Sequence, residues 1–131
     1  MIGLDTNILV RYLTQDDVAQ SKKANALIES LSPEAPGFIS HLSLVELVWV
    51  LQGCYGSNKK DIIQVLDTLL RTSGLMVEQA DVVWQALRRY AEANGDFADG
   101  LIERVNHAAG CEYTATFDRD AAKSAGMRLL G

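Results

Sequence analysis

Short apolar runs alternate along the chain with stretches in which apolar residues recur at helical spacing. Met1–Asp5 is apolar and ends on a carboxylate, which predicts a strand. Gly37–Ser40, Leu75–Val77, Tyr113–Phe117 and Met127–Leu130 predict four more. A short helix is expected over Asn7–Leu13. Asp16 or Asp17 can cap the next, in which Ala24, Leu27, Ile28 and Leu31 share one face. Ser40 or Ser43 caps a helix running to about Gln52, which Gly53 and Gly56 end. Asn58 precedes an amphipathic helix that buries Ile62, Val65, Leu66, Leu69 and Leu70. A helix from about Ala80 to Ala93 turns Val83, Trp84, Leu87 and Tyr90 inward. Asn94-Gly95 is a turn, Phe97–Ala109 a helix ended by Gly110, and Asp118–Ser124 a short helix. This alternation predicts an α/β fold with a mostly parallel central sheet.

The chain of 131 residues has no internal repeat or linker, so one domain over residues 1–131 is expected. Hydrophobic residues at 48% and charged residues at 22% describe a globular protein. No apolar run is long enough to cross a membrane. The opening MIGLDTNILVRYL does not read as a signal peptide. Cys54 and Cys111 form no C-x-x-C pair, so a zinc site or disulfide framework is not expected, and a reducing cytoplasm is the natural compartment. A net charge of −5 argues against a protein that coats nucleic acid. Without the five acids considered next the chain is neutral, so the charge leaves room for a nuclease whose acids meet a cation.

Those acids are Asp5, Glu46, Asp96, Asp99 and Asp118. Asp5 and Asp118 follow strand residues, and open α/β sheets build their sites beyond the carboxyl ends of strands. Glu46, Asp96 and Asp99 stand near helix starts, so acids distant in sequence can meet at one edge. Hydrolysis of a phosphodiester needs an activated water and stabilised charge on phosphate oxygens, which Mg²⁺ supplies. Mg²⁺ takes hard oxygen ligands and keeps several waters, so an acid cluster with few His or Cys is the expected donor set. Each acid also has a structural reading. Asp5 can cap the following helix. Ser43-x-x-Glu46 fits a capping box, unless Ser40 is the cap, in which case an acid buried among apolar residues needs another purpose. Asp96 can be an N-cap, Asp99 a first-turn acid favoured by the helix dipole, and Asp118 a third cap. The case for chemistry lies in their convergence.

Four stretches carry a resemblance along essentially the whole chain: Asp5-Thr6-Asn7, Ser43-Leu44-Val45-Glu46-Leu47, Asp96-Phe97-Ala98-Asp99-Gly100-Leu101-Ile102, and Thr116-Phe117-Asp118-Arg119-Asp120. In this order and at these separations they resemble the PIN domains, and among them the VapC-type ribonuclease toxins of bacterial toxin–antitoxin pairs. The resemblance implies a three-layer α/β/α sandwich and an endoribonuclease that uses Mg²⁺, with Mn²⁺ as a substitute. It implies that Asp5, Asp99 and Asp118 bind metal, that Glu46 does so directly or through water, and that Asp96 supports the cluster. Asn7 and Thr116 would orient carboxylates. It also implies an RNA substrate, a cognate antitoxin and a homodimer. Gly100 stands where alanine is more usual, which weakens that helix turn.

Arg11, close to Asp5, is the best candidate among the basic residues for an RNA phosphate; the other basic pairs read as solvated faces. Trp49 and Trp84 read as core, Glu103 and His107 as a helix-face pair rather than metal ligands, and Cys54 and Cys111 as packing residues. Two other functions compete. An aspartyl-phosphate phosphatase with Asp5 as nucleophile would normally carry a second acid where Asn7 stands. A non-catalytic PIN-like module binding RNA or protein would be expected to have lost part of the acid set.

Overall fold

Ile2–Gly3 (β1) lies parallel to Gly37–Ile39 (β2), which in turn lies parallel to Leu75–Val77 (β3). The computed structural model, which describes residues 1–131, therefore contains a three-stranded sheet in the order β1-β2-β3. Parallel neighbours need crossover connections, and helices supply them. Thr6–Thr14 (α1) and Val18–Glu29 (α2) lie between β1 and β2, and His41–Tyr55 (α3) and Lys59–Arg71 (α4) between β2 and β3. These elements form the first of two compact units, Met1–Glu78; the second is Gln79–Gly131. The second holds Ala80–Glu92 (α5), Phe97–Ala108 (α6), Ala115–Thr116 (β4), Arg119–Ser124 (α7) and Arg128–Leu129 (β5). There β4 and β5 pair in parallel. Every strand ladder is thus parallel, and the α/β class expected from the alternating pattern holds.

In the first unit Leu9, Ile39, Leu44, Leu47, Ile62, Leu66 and Leu69 are fully buried. In the second, Phe97 meets Tyr90 edge-on with ring centroids 6.0 Å apart, joining α6 to α5. Six helix starts are capped by a side chain that accepts a backbone N–H: Asp5, Asp17, Ser40, Asn58, Asp96 and Asp118. Asp17 is therefore the cap of α2, while Asp16 is free for other partners.

The structure corrects several expectations around α3. Gly53 lies inside this helix, and Gly56, with φ +61°, ends it. Trp49 is 55% exposed rather than buried. The reason is that α3 is apolar nearly all round. At 100° per residue, Leu44, Leu47, Val48 and Leu51 define its buried face and Leu42, Glu46 and Trp49 fall opposite. Trp84 is half-buried. Cys54 and Cys111 are both free and exposed, so neither is a packing residue. Cys54 lies in the last turn of α3 beyond its buried stretch, and Cys111 follows the turn at Gly110.

Two glycines lead to opposite expectations. Gly74 has φ +89°, and a Cβ there would lie 3.1 Å from the Leu31 backbone. Gly100 is helical, and its Cβ would meet only the Ala86 carbonyl at 3.9 Å. In urea melts, Gly74→Ala should lose about 1–2 kcal/mol, whereas Gly100→Ala should gain about 0.5–1 kcal/mol.

Candidate active site

In the first unit, Asp5 leaves β1 and caps α1, accepting the Thr6 N–H at 2.8 Å through Oδ1. The capping and chemical readings of Asp5 are compatible, because the cap occupies one oxygen of an exposed carboxylate. Glu46 is decided by the cap of α3. Ser40 is that cap, its Oγ accepting the Ser43 N–H at 3.2 Å, so the capping box at Ser43 is not formed. Glu46 instead accepts the Thr6 hydroxyl at 3.1 Å. It is exposed rather than buried, since it sits on the face of α3 away from the core. Thr6 thus donates its N–H to Asp5 and its hydroxyl to Glu46, holding together acids from two elements. Thr6 was not singled out from the sequence, although it is the middle residue of Asp5-Thr6-Asn7.

Asp5, Thr6, Asn7 and Glu46 line an open groove of about 460 Å³, whose walls continue through Val10, Arg11, Val50, Cys54 and Tyr55. Arg11 is less free than its position suggested. It donates to Asp16 at 3.0 Å, to Gln20 at 2.7 Å and to the Tyr55 hydroxyl at 3.4 Å. Tyr55 and Thr14 donate hydroxyl hydrogens to Asp16 as well. The Tyr55 hydrogen bond is the foremost reason that the Asp16 carboxyl lies below its ordinary pKa. Arg11 therefore ties α1 to the start of α2 and the end of α3.

In the second unit, Asp96 caps α6, accepting the Ala98 N–H at 3.1 Å. Asp118 caps α7 through Oδ1, which accepts the N–H groups of Asp120 at 2.8 Å and Ala121 at 3.3 Å. Thr116 Oγ1 accepts the Asp118 N–H at 3.0 Å and so fixes the backbone that carries this acid. Asp99 lies in the first turn of α6 and is half-buried. Burial above all, and then the charges of Asp96 and Asp118, push its carboxyl pKa up. It accepts no hydrogen bond from the protein. Within either unit, no three Asp, Glu, His or Cys side chains stand close enough to enclose an ion.

Glu103 and His107 do not act as a pair. His107 is exposed, whereas Glu103 is buried and bound by Arg89 at 2.9 Å and Arg104 at 2.7 Å. Burial raises the Glu103 pKa, but the two guanidiniums together outweigh it and leave the group below its ordinary value.

The cap and the charge of Asp118 can be separated by substitution. Asn caps as well as Asp, so Asp118→Asn should melt close to the parent, while Asp118→Ala should cost about 1 kcal/mol. Both should lose activity to the same degree if the charge is what the chemistry uses. Thermal melts beside RNA-cleavage assays check this.

A family model described as the PIN domain matches residues 2–126. A curated relative from Aquifex aeolicus, named VapC ribonuclease, is 26% identical over 117 residues, covering 88% of this chain and 86% of the relative. No solved structure matches. With the four acidic stretches in order and the family model running over nearly all of its length, the chain belongs to the PIN domain family.

Proposed function

We propose that this chain is an endoribonuclease that hydrolyses RNA phosphodiester bonds with a divalent metal ion, and that it is the toxin of a VapBC-type toxin–antitoxin pair. The similarity to a VapC ribonuclease supports the reaction class. The observation that carries the metal requirement is Asp99: a half-buried carboxylate that feels the charges of Asp96 and Asp118 and has no hydrogen-bond donor from the protein. Repelling carboxylates are relieved by a cation. Loosely spaced acids suit Mg²⁺, which keeps several of its waters and can meet some carboxylates through them. We assign Mg²⁺, with Mn²⁺ able to replace it. The family match running through both units supports a single PIN domain over residues 1–131.

In this reading Asp5, Asp99 and Asp118 are the metal ligands, and Glu46 acts directly or through water. When bound, the ion activates a water and offsets charge on the phosphate oxygens. The protein's part is to hold oxygens in place. Thr6 orients Glu46 by its hydroxyl and Asp5 by its N–H. Thr116 holds Asp118, and Asp96 keeps α6 capped while raising the negative field at Asp99. Asn7, exposed on the wall of the groove, supports Asp5 or meets the RNA.

The partners proposed are an RNA, a cognate antitoxin and a second copy of the chain. Exposed Leu42 and Trp49 on the outer face of α3 give an apolar surface suited to a protein partner. No helix is long and apolar enough to cross a membrane; a cytoplasmic location is our assignment.

Purified protein free of antitoxin should cut members of a panel of tRNA, rRNA and unstructured RNA at discrete positions with Mg²⁺, and should not do so in EDTA. Asp99→Asn should lose more activity than the roughly 10–100-fold expected when a supporting residue is disturbed. Equal cleavage by both proteins sinks the site assignment. Binding of RNA without cleavage by either would favour the non-catalytic module.

A further inference from the structure

α7 has only six residues, too few to hold a helical shape alone in water. Its start is held by the Asp118 cap. Its far end is held by an arginine from another helix. Arg89, on α5, donates from one terminal nitrogen to the carbonyl of Ala125, the residue that closes α7, and to Glu103 Oε1 at 2.9 Å. Glu103 lies on α6 one turn after Asp99 and is only 7% exposed. Arg104 completes the pairing with two further bonds, Nε to Oε1 at 2.7 Å and a terminal nitrogen to Oε2 at 3.0 Å.

The chain is shaped around this guanidinium. Gly126 follows Ala125 with φ +73°, and a Cβ there would lie 2.7 Å from the Arg89 nitrogen. The turn after α7 thus passes directly over the arginine, where a side chain would displace it. A second contact points the same way. A Cβ on Gly95, in the loop before α6, would lie 2.9 Å from Ser124 Cβ, and the Ser124 hydroxyl reaches the Asn94 carbonyl at 3.4 Å.

We propose that Arg89 is a positioning residue: by joining Glu103 on α6 to the last carbonyl of α7, it sets where Asp118 stands relative to Asp99. The inference rests on the reading of Asp99 and Asp118 as working acids. It also separates Arg89 from Arg104. Both pair with Glu103, but only Arg89 touches the segment that closes α7. Removing Arg89 leaves Glu103 its two-pronged bond to Arg104, so the unit keeps a paired buried charge and α7 loses its tether.

The test compares Arg89→Met, Arg89→Lys and Arg104→Met in the full chain. The readouts are the Mn²⁺ dissociation constant by calorimetry, amide exchange over residues 119–125, and kcat and KM for RNA cleavage. Arg89→Met should weaken Mn²⁺ binding about tenfold, speed exchange in α7, and lower kcat with little change in KM. Arg89→Lys, whose ammonium has donors for both oxygens, should recover most of this. Arg104→Met should leave Mn²⁺ binding within about twofold of the parent. Equal losses in the two methionine variants would show general damage to the charge cluster and overturn the proposal. Unchanged Mn²⁺ binding and α7 exchange in Arg89→Met would overturn it as well. Should that variant fail to fold, Arg89→Gln, which loses the charge and keeps an amide donor, carries the same comparison with Arg104→Met. If the parent neither binds Mn²⁺ nor cuts RNA, the nuclease reading fails, and exchange over α7 alone decides whether Arg89 is its tether.

Discussion

The structure depends on one use of the carboxylate: an aspartate at a helix start accepts backbone N–H groups through one oxygen, and these bonds do not use the other. Asp5, Asp96 and Asp118 are all held in this way. A helix end presents unsatisfied donors and the positive pole of its dipole, so a negative side chain is stable there without a salt bridge. The protein thereby places acids at helix starts, two of them just after strands and Asp96 in the loop between α5 and α6, with no buried cation to neutralise them. Asp99 is the exception. It lies inside the first turn of α6, partly withdrawn from water, and its acidity is shifted by that withdrawal and by its acidic neighbours.

Much of this was legible in the sequence because the signals were local. The strand at the opening of the chain, the caps at Asp96 and Asp118, and the amphipathic α4 and α5 follow from spacing and end residues. What failed were inferences that needed a helix's orientation. In α3 nearly every position is apolar, so nothing in the pattern distinguished buried Leu47 and Val48 from exposed Leu42 and Trp49. The same ambiguity hid that Glu46 faces outward, and the choice between Ser40 and Ser43 as cap rested on geometry alone. Long-range polar contacts were also out of reach. No rule of spacing connects Thr6 to Glu46, or Arg89 to both Glu103 and the carbonyl of Ala125.

Arg11 illustrates how one charge can serve two ends. Its Nε and one terminal nitrogen hold Gln20, Asp16 and Tyr55, while the side chain still lines the groove beside Asp5. Glu103 makes the converse point. A buried acid on the helix that carries Asp99 is already satisfied by two guanidiniums. Pairing, more than proximity in sequence, separates Glu103, which two guanidiniums hold in place, from Asp99, which has no cationic partner.

The exposed thiol of Cys54 stands in the wall of the groove that Asp5 and Glu46 share, on the helix that carries Glu46. Cys111 is the one other thiol. With that residue replaced by serine, a fluorophore attached through sulfur would report directly on whatever enters the groove. The fold thus offers an optical handle on occupancy that does not require the chain to be catalytically competent.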